Sequence, residues 1–227
     1  MKKVAILQSN YIPWKGYFDI IRSVDEFIIG DDVQYTWGDW RNRNKIKTAN
    51  GPEWLTIPVG KHYSAINNTL ISDNKWAKNH WAKIQQAYSK ATYFKQYKEP
   101  FEQFYRNNTE QHISLVNFEL ISIINNLLGI GTKITWSTDY LLSEGKNERI
   151  TDLVKQAGGG EYVSGPAAKA YMDEPVFTAA GINVSWMDYS GYPEYTQLYP
   201  PFEHGVTVLD LIFNEGPNAL SKMKTLR

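Results

Sequence analysis

Three short polar and aromatic segments near the amino end carry residue types that could do chemistry. The first is Gln8-Ser9-Asn10-Tyr11-Ile12-Pro13-Trp14-Lys15-Gly16-Tyr17, which follows an apolar run and precedes a helical pattern. A loop between a strand and a helix presents backbone N–H groups and a helix N-terminus, and both favour an anion such as phosphate. Gln8, Asn10 and Tyr11 add hydrogen-bonding groups, Trp14 and Tyr17 add rings, and Lys15 could meet a phosphate. The competing reading is a structural turn with its rings packed beneath it.

The second segment is Asp31-Asp32-Val33-Gln34, at the end of an expected strand. Successive strand residues point to opposite faces, so two adjacent carboxylates are not automatically a pair. Either one could hold a magnesium ion, accept a bond from a sugar hydroxyl, or act as a general base with Tyr11 close by. A solvated turn or a helix cap is the plainer alternative. The third segment is Arg41-Asn42-Arg43-Asn44-Lys45, interleaved with Trp37 and Trp40. Arg grips phosphate or carboxylate with a fork of donors, and Asn both donates and accepts. On a strand, Asn42 and Asn44 share one side.

Elsewhere the familiar signatures are missing. His62, His80, His112 and His204 show no metal-ligand spacing, so no metal site is expected. Ser164 in Val163-Ser164-Gly165-Pro166 is not a nucleophile elbow, and neither a P-loop nor a Gly-x-Gly-x-x-Gly is present. The pattern names no cofactor.

These segments need elements to position them. Lys3 to Gln8 reads as a buried strand, Trp14 to Ser23 as a helix and Glu26 to Gly30 as a second strand, which opens a parallel βαβ unit. Pieces around Lys45 to Thr48 and Trp54 to Val59 read as an inserted hairpin turning at Asn50-Gly51. Asn68 to Ser72 is expected to add a strand. Helices follow near 74–90, 95–107 and 111–128, the first capped by Asp73. Lys133 to Ser137, Tyr162-Val163 and Ile182 to Met187 return to strand. Helices are expected over Asn147 to Ala157 and Thr207 to Phe213, with Gly158 to Gly160 ending the former. The expectation is one α/β domain over 1–227, with a parallel-core sheet, flanking helices, an inserted β-hairpin and a helical subregion at about 74–128.

The 227 residues are 42% apolar and 14% aromatic, with 24 basic against 24 acidic side chains and no cysteine. A balanced charge lacks the basic field that gathers nucleic acid, so no nucleic-acid partner is expected. The absence of cysteine removes disulfides and thiolate chemistry and fits a reducing, cytoplasmic location. The longest apolar stretch, residues 113–131, is broken by Asn117, Glu119, Asn125 and Asn126, so no membrane span is expected.

In order along the chain, the motifs resemble the WbqC-like protein family. They are Asn10-Tyr11-Ile12-Pro13-Trp14-x-Gly16-Tyr17-Phe18, Asp31-Asp32-Val33-Gln34-Tyr35, Asn42-Arg43-Asn44-Lys45-Ile46 and Trp54-Leu55-Thr56-Ile57-Pro58-Val59. Tyr162-Val163-Ser164-Gly165-Pro166, Tyr195-x-Gln197 and Leu209-Asp210-Leu211-x-Phe213-Asn214-x-Gly216 complete the set. The family pattern near the start looks like His-Gln-Pro-x-Tyr-Leu-Pro-Trp. Here Leu7 and Ser9 stand in place of its His and first Pro, so a step that used that His is either lacking in this chain or served by a group from elsewhere. The resemblance implies work on O-antigen, lipopolysaccharide and other bacterial surface glycans, with a nucleotide-linked sugar as the small-molecule partner. The leading expectation is a transferase placing an acyl or aminoacyl group on a nucleotide-linked amino sugar. Asp31, Asp32 and Tyr11 would be its catalytic groups, and Gln8, Asn10, Trp14, Lys15, Tyr17, Gln34, Asn42, Arg43 and Asn44 its substrate-binding groups. Pro13-Trp14-Lys15-Gly16-Tyr17 also has the rhythm of the Pro-x-His-x-Gly-His element of nucleotidyltransferases, without its histidines, so nucleotidyl transfer with ATP and magnesium is one alternative. A non-catalytic sugar or nucleotide binding module is the other.

Overall fold

Apolar runs with no alternation suit strands covered on both faces, and the computed structural model sets five such strands side by side. It describes residues 1–60 and 63–224, so His62 lies outside the described residues. Strand β1 (Lys3–Leu7) leads through helix α1 (Lys15–Ser23) to β2 (Glu26–Ile29). The chain then leaves the sheet for an antiparallel hairpin, β3 (Arg43–Thr48) and β4 (Gly51–Thr56). Three helices follow, α2 (Trp76–Tyr88), α3 (Phe94–Asn107) and α4 (Ile113–Leu127). The chain returns as β5 (Lys133–Trp136) and crosses through α5 (Lys146–Gln156) to β6 (Glu161–Ser164). A short α6 (Glu174–Ala179) leads to β7 (Asn183–Trp186), and α7 (Val208–Glu215) comes last.

The order across the sheet is β5-β2-β1-β6-β7, and every pair is parallel. From β1 the chain builds outward through β2 to β5, then jumps back past β1 to lay down β6 and β7. The order therefore reverses between β1 and β6, the place where open α/β sheets leave a crevice at their carboxyl ends. Both faces are covered. Ala5, Phe27 and Ile29 join the core formed with α1 and the inserted helices, while Val4 and Ile28 pack with Leu153, Val154 and Phe177 of α5 and α6. Phe27, Ile28 and Ile29 are each fully buried, which is worth about 1.5–3 kcal/mol per side chain.

Some local expectations change in three dimensions. The hairpin turns on Ala49-Asn50, and Gly51 opens β4 at φ +98° opposite Thr48. Pro52 follows in an edge strand, where its missing N–H is harmless. Asn68 to Ser72 forms no strand, only the single bridges Val59–Ile71 and Leu70–His112. Asp73 accepts the Lys75 N–H ahead of α2 but does not cap the helix itself. Helix α6 was not legible, because six residues hold too little periodicity to read. Gly158 ends α5 at φ +72°, and a side chain on Gly159 would meet Val4 Cγ2 at 2.6 Å. No helix among the described residues is long and apolar enough to cross a membrane.

The inserted helices are pinned to the first loop by a buried polar chain. His80 hydrogen-bonds the Thr56 carbonyl through one ring nitrogen, so its Nδ1 accepts from the Tyr11 hydroxyl at 2.8 Å. Tyr11 in turn accepts from the Tyr105 hydroxyl at 2.6 Å. Burial lowers the His80 pKa to about 4, although the Thr56 bond pulls the other way. An unfolded histidine titrates near 6.5, so in that window the unfolded chain binds more protons than the folded one. Stability is expected to be full above about pH 6.5 and to fall by about 3 kcal/mol on acidification to about pH 4. Denaturant titrations of wild type and His80→Gln across this range check it: the variant should lose that slope, and an unchanged slope would remove His80 as its source.

Candidate functional site

The loop after β1 is held under strain. Ile12 sits at φ +38°, an unfavourable conformation for a β-branched residue. It is fixed by Asn44, whose Nδ2 donates to the carbonyls of Tyr11 and Ile12 at 3.2 and 2.8 Å. Trp14 then lies against Gly16 so closely that a Cβ there would come within 2.3 Å of its ring. The Tyr17 hydroxyl donates to the Gln8 carbonyl at 3.0 Å. Gln8 and Asn10 are tied together by Arg41, which donates to Gln8 Oε1 at 2.7 Å and to Asn10 Oδ1 at 3.1 Å.

The two neighbouring aspartates have separate environments. Asp31 is 1% exposed and accepts from the Ser9 N–H at 2.8 Å, the Ser9 hydroxyl at 2.6 Å and the Ser114 hydroxyl. Asn117 completes the knot by donating to Ser9 Oγ and to the Arg41 carbonyl. Asp32, which like Asp31 lies beyond the end of β2, takes different partners. It forms an ion pair with Arg149 of α5 and accepts from the Ser137 hydroxyl at 2.5 Å.

Asp32 lines a cleft of about 630 Å³ at the carboxyl ends of β1, β2, β5 and β6. Leu7, Gln8, Ser137, Ser164 and Tyr171 share its wall. Helix α5 starts there behind Gly145, with no side chain capping its N-terminus. Lys146 and Arg149 line the cleft, and the Lys146 ammonium lies 3.3 Å from the centre of the Tyr171 ring. Cations in the first turn of a helix stand at the positive end of its dipole, which is locally unfavourable without a nearby negative charge. Asp32, Glu144 and, in the same turn, Glu148 supply negative charge there, and the free backbone N–H groups of the helix start would favour a bound anion as well.

Tyr11, Asp32 and Arg43 do not share one hollow in the fold. Tyr11 is fully buried among Trp76, His80 and Tyr105. Tyr17 is buried too, within the core. Asn42 and Asn44 do share one side, but it is the buried side, where Asn42 donates to the Ile57 carbonyl. Arg43 donates to the Gly38 carbonyl and lies 4.3 Å from the centre of the Trp54 ring. Gln34 is exposed and donates to Ser64. The Lys15 ammonium is enclosed by Tyr192, Tyr195 and Phe202, and burial lowers its pKa despite the carboxylates of Asp19 and Asp210. Asn10, Trp14 and Asn44 line a separate hollow of about 220 Å³ with Trp40. Of the sequence candidates, Gln8 and Asp32 meet at the switch-point cleft.

Sequence reasoning missed Ser137, Lys146, Arg149 and Tyr171. The available signal was Gly145-Lys146 with Arg149 one turn on, a basic pair opening a helix after a strand. Position 7, where the family pattern carries His, also faces the cleft, and here it is Leu. A larger hollow of about 790 Å³ between the end of α3 and α4 is broadly open, and no strand tip reaches it. Among the described residues, no three His, Asp or Glu side chains gather closely enough to share a metal ion.

The family model described as WbqC-like protein family matches residues 8–222. The chain is also 48% identical over 230 residues to the uncharacterized protein Rv1507c of Mycobacterium tuberculosis (strain ATCC 25618 / H37Rv), with both chains covered in full. No solved structure matches it.

The two aspartates are expected to separate on mutation. Asp31→Ala leaves three buried donors unmatched and should cost roughly 3 kcal/mol in urea unfolding. Asp32→Ala removes a partly exposed ion pair and should cost about 1 kcal/mol. Equal losses would show that Asp31 does not hold the strand tips together.

Proposed function

The chain belongs to the WbqC-like protein family, and we propose that its switch-point cleft binds a nucleotide-linked amino sugar and passes an acyl or aminoacyl group to the sugar's amine. The observation that carries this reading is the uncapped start of α5, with Lys146 and Arg149 facing Asp32 across the cleft. Backbone N–H groups, the dipole and two cations favour a diphosphate at that end of the helix, against the carboxylates of Glu144 and Glu148. Tyr171 and Gln8, which line the cleft, would meet the base or sugar, the one through its ring and the other through its amide. In the transfer, the amine nitrogen bonds to the acyl carbon of a thioester or ester donor. The bond from that carbon to the sulfur or oxygen breaks, and Asp32 takes the amine proton and hands it to the leaving group, which departs as a thiol or alcohol. Surface-glycan assembly in a bacterial cytoplasm is the setting in which such substrates are made.

One observation favours the non-catalytic binding reading. The Asp32 carboxylate is engaged by Arg149 and Ser137, so it can take an amine proton only once one of these partners moves. The nucleotidyl-transfer reading needs Lys15 at a phosphate, and the aromatic enclosure around its ammonium counts against that.

Purified protein incubated with nucleoside-diphosphate amino sugars and acyl donors should yield a sugar product heavier by one acyl group. Lys146→Ala should weaken nucleotide-sugar binding about tenfold by calorimetry, and added salt should weaken the wild type in the same direction. Tight binding without product across a broad donor panel would leave only the binding module. No binding at all would end both readings.

A further inference from the structure

The Asp32 carboxylate is a wall between two hollows. On one side lies the cleft that holds Lys146 and Arg149. On the other is a second hollow of about 380 Å³, also reached by Ser137 and bounded by Asp31, Asn67, Ser114, Trp136 and Thr138. The two differ in charge. The cleft wall carries Lys146 and Arg149 beside the carboxylates of Asp32 and Glu144, whereas among the described residues no Lys or Arg lines the second hollow.

Three features give that hollow an appetite for positive charge. Asp31 stands in its wall and is almost fully buried, and among the described residues it has no Lys or Arg within ion-pair distance. Its three hydrogen bonds orient donors toward it but bring no compensating charge. Asn67 Oδ1, buried and without a hydrogen-bond partner, offers a further acceptor. Trp136 supplies an indole, the ring that attracts cations most strongly. At the rim His112 is bonded to Glu110 at 2.9 Å, so even this group is held by a carboxylate.

We propose that the second hollow binds a primary ammonium group. The two hollows then sort substrates by charge, the phosphate-bearing part entering the cleft and the amine-bearing part entering beside Asp31. Asp32 lies between them, within reach of both. The pairing with a phosphate-bearing substrate rests on the function proposed above, while the ammonium site stands on its own lining. Two sources share this chemistry, the amine of an amino sugar and the α-amine of an aminoacyl group.

Calorimetry on the full chain separates these claims, with glucosamine and glycinamide as amine probes, their N-acetyl forms as neutral controls, and uridine diphosphate as the cleft probe. The amines should bind about tenfold or more tightly than their N-acetyl forms. Asn67→Leu, and independently Thr138→Phe, which fills the hollow, should weaken amine binding and leave uridine diphosphate binding unchanged. Lys146→Ala should do the reverse. Tighter binding of glucosamine assigns the amino sugar to the hollow, and tighter binding of glycinamide assigns the aminoacyl group. Equal affinity for amines and N-acetyl forms overturns the proposal, as does amine binding that responds to Lys146→Ala but to neither hollow variant. Amine binding without uridine diphosphate binding would keep the ammonium site and reject the nucleotide-sugar reading.

Discussion

The Asp31 carboxylate ties together segments that have no other reason to meet. It takes the Ser9 N–H and hydroxyl from the loop after β1 and the Ser114 hydroxyl from α4. Through Asn117 the same knot reaches the backbone of Arg41 at the entry to the hairpin. A buried carboxylate is costly unless its lone pairs are met, so the fold that buries it must bring these donors to one point. The loop, the strand tips and the inserted helices are thereby set in register, and Asp32, the next residue, lines the cleft just past the end of β2.

The rest of the cleft follows from topology. Parallel strands need crossovers, and the crossover from β5 to β6 passes over β1 and reverses the strand order beside it. That reversal draws the start of α5 to the sheet's carboxyl edge, where Lys146 and Arg149 oppose Asp32. The charged groups of the cleft thus come from residues more than a hundred positions apart. The loop after β1 has another duty: it is strained at Ile12 and braced by Asn44, and its Tyr11 is anchored to His80 and Tyr105. Its polar residues mostly hold the loop still, and only Gln8 reaches the cleft.

The high aromatic content divides along the same line. Trp76, Trp81, Phe94, Tyr105 and Phe213 build the core between the inserted helices and α7. Tyr192, Tyr195 and Phe202, from the long connection before α7, close over Lys15. Trp37 and Trp40 remain about half exposed on the hairpin side. Composition alone could not tell packing rings from ligand-facing rings, because both bury an apolar body and differ only in what lies opposite the polar tip.

The sequence by itself determined the seven strands that form, though not the absence of one expected at Asn68 to Ser72, and most of the helices, since each depends on the local spacing of apolar residues, and with them the parallel βαβ opening and the inserted hairpin. It also carried the family, because the motifs recur in order along nearly the whole chain. What it could not determine was which polar residues share a space. Asp31 and Asp32 look equivalent in the chain, yet one is sealed into the knot and the other faces the cleft. Lys146 and Arg149 look like an ordinary helix start until the crossover carries them to Asp32. Spacing within an element is fixed by backbone geometry a few residues long, whereas the meeting of distant side chains is fixed by how both faces of the sheet are covered, and only the folded chain decides that.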